Sequence, residues 1–207
     1  MRFGWKKFCI LLHCWLKSYP VKTTIELANL SRPTIYQWFS KFRQNIPQYE
    51  AKLSEEVEID ESWFGPRNKG RKGHNWQENK VPVIGIYARQ SDLLITKDLP
   101  RGTAEYILPF VRKYVDPLTA HIFSDKYRPY KPLTRLGLNH TAVDHYLGQY
   151  TETNRIEGMW SVMKRHLKRT YYAVSREKFP EYVCEITYRI NTRRNPDSCF
   201  KFLEKTL

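Results

Sequence analysis

The stretch Val57–Gly65, VEIDESWFG, crowds Glu58, Asp60 and Glu61 into four residues of a strand-like run. Two further acids stand out downstream. Asp125 closes the apolar run HIFSD, and Glu157 lies in TNRIEGMWSVMKRHLKR, seven residues before Lys164. Asp60 and Asp125 are 65 residues apart, and Asp125 and Glu157 are 32 apart. Carboxylates drawn together from three distant segments repel one another, which raises at least one pKa. A hard divalent cation removes that conflict, because Mg2+ prefers carboxylate oxygens. Two such ions about 3.5–4 Å apart clamp the attacking and leaving oxygens of an in-line phosphoryl displacement. Asp60, Asp125 and Glu157 are therefore the candidate catalytic acids and metal ligands, with Mg2+ or Mn2+ as the cofactor. Each position also has a plainer use. Asp125 fits a turn cap after a strand, Asn154 with Glu157 resembles a capping box, and Lys164 fits an exposed helix lysine.

The background charge gives those acids a context. Lys and Arg number 35 against 21 Asp and Glu, for a net charge of +14 and a pI near 9.6. An excess this large attracts polyanions, of which nucleic acid is the commonest. Acids in such a chain make sense as a metal cage set in a DNA-binding surface. The four cysteines, Cys9, Cys14, Cys184 and Cys199, form no CxxC pair and read as buried free thiols in a reducing compartment. No run of about twenty apolar residues is present, so no membrane span is expected. The start, MRFGWKKFCILLHCWLKSYP, imitates a signal peptide, but His13 and Trp15 interrupt the apolar core and no small-x-small site follows. It reads as the first helix of a DNA-binding unit.

Two textures must position these residues. Residues 1–50 read as all-helical. Thr24–Leu30 forms a short helix, Ser31 caps the next one, and Pro33 sits in its first turn. Ile35, Trp38, Phe39 and Phe42 then recur at helical spacing. This is a helix-turn-helix pattern, whose second helix would present Arg32, Thr34, Tyr36, Gln37 and Lys41 to a major groove. Residues 51–207 alternate strands and helices. VEIDESWF, VPVIGIYA and LLITKDL read as three strands, TAEYILPFVRKYV as a helix, AHIFSD and NHTAVDH as two more strands, and Asn154–Tyr171 and Arg176–Thr192 as closing helices. That order is the one of a ribonuclease H-like α/β fold, a mixed sheet with flanking helices. In the first strand the period of two puts Val57, Ile59 and Trp63 on one face and Glu58, Asp60 and Ser62 on the other. The loop PRNKGRKGHNWQENK offers Arg67, Lys69, Arg71 and Lys72 as further DNA contacts, as does Lys168 beyond Lys164.

With these pieces in order, the chain resembles the DDE transposases of bacterial insertion sequences, most of all the small kind with a D-D-E-K signature. EIDESWFG holds Asp60, FSDKYRPY holds Asp125, and TNRIEGMWSVMKRHLKR holds Glu157 and Lys164; YRINTRRNP resembles the closing helix. The resemblance runs over about residues 55 to 200. It implies a Mg2+-dependent ribonuclease H-like catalytic domain, and recognition of terminal inverted repeats in double-stranded DNA. It also implies cleavage at the transposon ends, strand transfer into target DNA, a homo-oligomer on that DNA, and a place in the bacterial cytoplasm with the nucleoid. Lys164 would touch DNA near the scissile phosphate. Asn154 and Trp160 match the motif and read as structural, while His140, Asp144 and His145 read as supporting residues. Many relatives carry an N-terminal zinc ribbon with two CxxC pairs; this chain has none, so zinc is not expected. Two other readings stay open on the residues alone: a non-catalytic DNA-binding regulator, decayed or domesticated, and a ribonuclease H-like nuclease without strand transfer.

Overall fold

The computed structural model describes residues 3–65, 80–143, 153–171, 174–194 and 202. Three helices come first, α1 (Trp5–Leu16), α2 (Val21–Ala28) and α3 (Arg32–Gln44). Asn29, left-handed at φ 48°, turns the chain after α2, and Ser31 caps α3 by accepting from the Thr34 backbone N–H at 3.4 Å. The N-terminal region is therefore all-helical, with α2 and α3 joined by a short turn. Helix α2 begins earlier than the apolar pattern indicates, at Val21 rather than Thr24. The cause is local: the buried Thr24 hydroxyl donates back to the Pro20 carbonyl at 3.1 Å, which places Thr24 inside the first turn. Phe8, Leu11, Trp15, Ile35, Phe39 and Phe42 pack into one core, together with Phe202 from the far end of the chain.

The sheet has five strands, β1 (Glu56–Phe64), β2 (Val81–Ala88), β3 (Leu93–Asp98), β4 (His121–Asp125) and β5 (His140–Val143), in the order β3-β2-β1-β4-β5. The first three pair antiparallel, and β4 and β5 join in parallel. This is the ribonuclease H-like arrangement expected from the order of elements. Helix α4 (Ala104–Tyr114) and α5 (Lys131–Arg135) cover one face, meeting Ile59, Ile84 and Ile86. Helices α6 (Asn154–His166) and α7 (Phe179–Thr192) cover the other, meeting Phe64, Val83 and Tyr87. Burial on both faces explains why β2 is almost wholly apolar. Two helix limits differ from the sequence reading. The α-helical part of α6 stops at His166, and a wider π turn carries Leu167–Tyr171. Helix α7 starts at Phe179 rather than Arg176, with Pro180 in its first turn, where a missing N–H costs nothing.

The helical unit is tied to the sheet through α7. Glu185, fully buried, accepts from Arg43 Nε of α3 at 2.6 Å, from Arg189 Nε at 3.0 Å and from the Tyr171 hydroxyl at 2.6 Å. Arg189 also donates to the carbonyls of Trp15 and Leu16. Among the described cysteines, Cys14 is buried and Cys184 partly so, but Cys9 is exposed on α1; the expectation of uniformly buried thiols fails there because Cys9 faces away from the Phe8–Leu12 side. Cys199 lies outside the described residues. No helix among the described residues is long and apolar enough to cross a membrane.

Candidate active site

The acids of β1 divide by face as the period of two requires. Glu58 and Asp60 turn toward α6, and Glu61 turns the other way. Glu58 is fully buried. Its Oε1 accepts from Arg89 Nε at 2.9 Å, and its Oε2 accepts from the backbone N–H groups of Arg155 and Ile156 at 3.1 and 3.0 Å. A carboxylate from the sheet thus caps the N-terminus of α6, where backbone donors lack partners and the helix dipole favours negative charge. The expected capping box of Asn154 with Glu157 is corrected accordingly. The cap position belongs to Thr153, and its side chain makes no cap bond. Its hydroxyl donates instead to Glu157 Oε1 at 3.2 Å.

The strand register brings Asp60 to Asp125. Glu58 pairs in parallel with Phe123, the last pair of the β1–β4 ladder, and Asp60 and Asp125 each follow two residues further along their strands. The separation of 65 residues is the register of β1 on β4. Asp125, the last residue of β4, also accepts from the Tyr127 backbone N–H at 2.9 Å, so the turn-cap use is real as well. Asp60 Oδ2 accepts from the Trp160 indole N–H at 2.8 Å. Burial pushes the Asp60 carboxyl up to about 6, and the charges of Asp125 and Glu157 add to the rise. Glu157 is exposed in the first turn of α6. Lys164, two turns on, is exposed with Nζ 5.4 Å over the Phe64 ring. Partial desolvation lowers its pKa, while the Asp60 charge pulls it back up.

Other expected residues are placed more loosely. On α3, Arg32, Tyr36, Gln37 and Lys41 are exposed. Thr34 is half-buried, its hydroxyl paired with that of Ser31 at 2.8 Å. Lys168 is exposed in the π turn. Arg67, Lys69, Arg71, Lys72, Asp144 and His145 lie outside the described residues. His140 is engaged through both ring nitrogens, with Ser124 Oγ at 2.8 Å and Thr134 Oγ1 at 3.1 Å, and burial lowers its pKa.

Three residues have larger parts than the sequence pattern assigns them. Glu58 stands out as an acid in a strand, but nothing in its neighbourhood names α6 as its partner. Trp160, which reads as structural, holds Asp60. Glu61 accepts from the hydroxyl of the buried Tyr130. Burial first, then the charges of Asp60 and Asp125, raise the Glu61 carboxyl from 4.5 to about 8. A carboxyl whose folded pKa exceeds its unfolded one holds more protons when folded, so stability falls as pH rises between the two values. In divalent-free buffer, Glu61→Gln is expected to flatten the fall of Tm between pH 5 and pH 8.5. Each kcal/mol recovered is worth about 2–4 °C in a chain of this size. Parallel Tm profiles for the two chains would show that Glu61 ionises normally.

Among the described residues, no three acidic, His or Cys side chains stand close enough to form a ready metal cage. The donor set still fits a hard cation. It is all carboxylate oxygen, and Asp60 is destabilised as an anion first by burial and then by the charges of Asp125 and Glu157, a conflict a divalent ion relieves.

The mixed sheet with helices on both faces defines a ribonuclease H-like fold, and the comparisons narrow it. The family of ISXO2-like transposase domains matches residues 52–191, and the chain belongs to that family. Among solved structures, the catalytic core domain of BIV integrase is similar at 16% identity and a TM-score of 0.44, covering 66% of this chain and 84% of that one. The HTLV-2 integrase catalytic core domain in complex with magnesium is similar at 12% identity and a TM-score of 0.41, covering 73% and 97%. A simian T-cell lymphotropic virus intasome chain is similar at 11% identity and 0.44, covering 90% and 69%. No curated protein matches the sequence.

Proposed function

We propose that this chain is an insertion-sequence transposase that binds the terminal inverted repeats of its element, cleaves DNA at those ends and joins them to target DNA. The observation that carries the reading is the family match over residues 52–191, in a chain of net charge +14 whose β1, holding Asp60, runs parallel to β4, which ends on Asp125. Residues 1–50 would bind the ends and residues 51–207 would carry the chemistry. Asp60, Asp125 and Glu157 would hold Mg2+ or Mn2+. Bound there, such ions stabilise charge on the scissile phosphate and lower the pKa of the attacking water or 3′-hydroxyl. The protein's own part is positioning and charge. Trp160 fixes Asp60, Glu58 fixes the start of α6 beside Glu157, and Lys164 supplies a cation to the phosphate flank of the site. Arg32, Tyr36, Gln37 and Lys41 present donors to a groove, and Lys168 extends the basic surface. The substrate is double-stranded DNA of the bacterial nucleoid, and the working form is a homo-oligomer on it.

The test is cleavage and joining of a labelled duplex carrying the element's own ends, with Mg2+ and with EDTA, for wild type and Asp125→Asn. Mg2+-dependent nicking and joining by wild type alone supports the transposase. Nicking without joining turns the reading toward a nuclease, and binding without nicking toward a regulator. For Lys164→Ala the salt dependence of end binding is expected to become shallower by about one unit of slope. An unchanged slope places Lys164 away from phosphate.

A further inference from the structure

The indole of Trp160 does two things at once. Its ring packs in the core between α6 and the sheet, with Phe64 at 6.1 Å between ring centroids. Its N–H donates to Asp60 Oδ2 at 2.8 Å. The ring reaches that position only because β2 has no side chain beneath it. Gly85 is the residue opposite Asp60 in the β1–β2 register, and a Cβ there would lie 2.7 and 2.8 Å from Trp160 Cη2 and Cζ2. A strand glycine with ordinary backbone marks close approach by another group, and here that group is the ring that bonds Asp60. Glycine in a strand interior is less favourable than alanine, so Gly85 is sheet stability given up for that approach.

We propose that Gly85 and Trp160 form a positioning device for Asp60: the glycine seats the indole, and the indole N–H fixes the carboxylate in the orientation that receives a divalent cation. The device rests on the metal-dependent reading above. Neither residue touches substrate or metal; both act through Asp60. A flexible lone carboxylate has many rotamers, and two of its neighbours carry the same charge. A neutral N–H donor holds it in place without competing with a cation for the remaining lone pairs. Partners that orient metal ligands in this way are worth about 10- to 100-fold in metal affinity or activity.

The experiment uses the full chain without DNA and Mn2+ as the probe, with free Mn2+ counted by its paramagnetic resonance signal and site-specific binding defined as the part lost in Asp125→Asn. Trp160→Phe keeps a ring and removes the donor; its Mn2+ dissociation constant is expected to rise by about 10-fold or more. Gly85→Ala keeps the donor but displaces the ring, and the constant is expected to rise as well. Ile186→Val, in the same core but bonded to nothing in the site, is expected to lower Tm and leave Mn2+ binding unchanged. If wild type binds Mn2+ and Trp160→Phe binds it equally well, the device is overturned while the metal reading stands. If wild type binds no site-specific Mn2+, the metal reading falls and takes the device with it. A loss of Mn2+ binding by Ile186→Val matching that of Trp160→Phe would show that core loosening alone is responsible, and would also overturn the proposal.

Discussion

Asp60→Asn is expected to abolish end cleavage, by about 10³-fold or more, while leaving DNA binding nearly intact and the fold as stable as before or more so. The three parts of that result have separate causes. Loss of one anionic ligand removes several kcal/mol of charge stabilisation at the reacting phosphate, and each 1.36 kcal/mol is a factor of ten in rate. Binding should survive because phosphate contacts come from the basic residues, and removing a negative charge from that surface does not weaken them. Stability should hold because the asparagine oxygen still accepts from the Trp160 indole, whereas the carboxylate it replaces is destabilised by burial and, to a lesser degree, by the charges of Asp125 and Glu157. Asp125→Asn and Glu157→Gln should share the loss of cleavage. The measurement is product formation on an end duplex in Mg2+, paired with an electrophoretic binding titration and a thermal melt. Loss of binding in parallel with cleavage, or a sharp fall in Tm, would show that Asp60 serves the fold, and the metal assignment would go.

The second large effect concerns stability. Glu185→Ala should destabilise the chain by about 3–5 kcal/mol, because removal of one partner leaves the buried Arg43 without its carboxylate and takes one from the partly buried Arg189. The side chain of Glu185 is fully shielded and that of Arg43 is 5% exposed, so water does not substitute for the lost partner. A domain has only about 5–15 kcal/mol in all, so the variant should melt far below wild type. Glu185→Gln, which keeps an acceptor for Tyr171, should lose less. The pH dependence follows the same ion pairs. Burial opposes ionisation of Glu185, but Arg189 and Arg43 outweigh it and hold the carboxyl below its ordinary range. A group depressed in this way contributes stability above its unfolded pKa, and that contribution disappears as pH falls through the folded value. Chemical denaturation at pH 7 and pH 4 reads both effects. A loss under about 1 kcal/mol at pH 7 would place the network among ordinary surface pairs.

That network also bears on how the two halves of the chain work together. Arg43 lies on α3, the third helix of the N-terminal region, and Glu185 lies on α7, which packs on the sheet. Helix α3 is thus held to the layer that carries Trp160 and Glu157, with Ser40 donating to Glu181 one turn along at 3.2 Å.

Much of this protein is legible in its amino-acid order alone. The succession of strands and helices follows from periodicity, because side chains alternate on strands and recur every three to four residues on helices. The cap at Ser31 and the apolar stripe of α3 are local signals, and they are in place. The adjacency of the strands that carry Asp60 and Asp125 is legible too, since the order of elements places the fourth strand beside the first. Tertiary structure alone decided the partners. Glu58 finds α6 at 97 and 98 residues' distance, Trp160 finds Asp60 at 100, and Arg43 finds Glu185 at 142. Such bonds depend on the rotation and slide of a helix on a sheet, which packing fixes and periodicity does not. Gly85 shows the difference most plainly. In the sequence it is a glycine within an apolar strand; in the fold it is the space that an indole occupies beside Asp60. The sequence determined which residue types lie on which face. The close packing of α6 on β1 and β2 decided that a buried glutamate caps a helix and a tryptophan holds an aspartate, because hydrogen bonds demand placement to within tenths of an ångström.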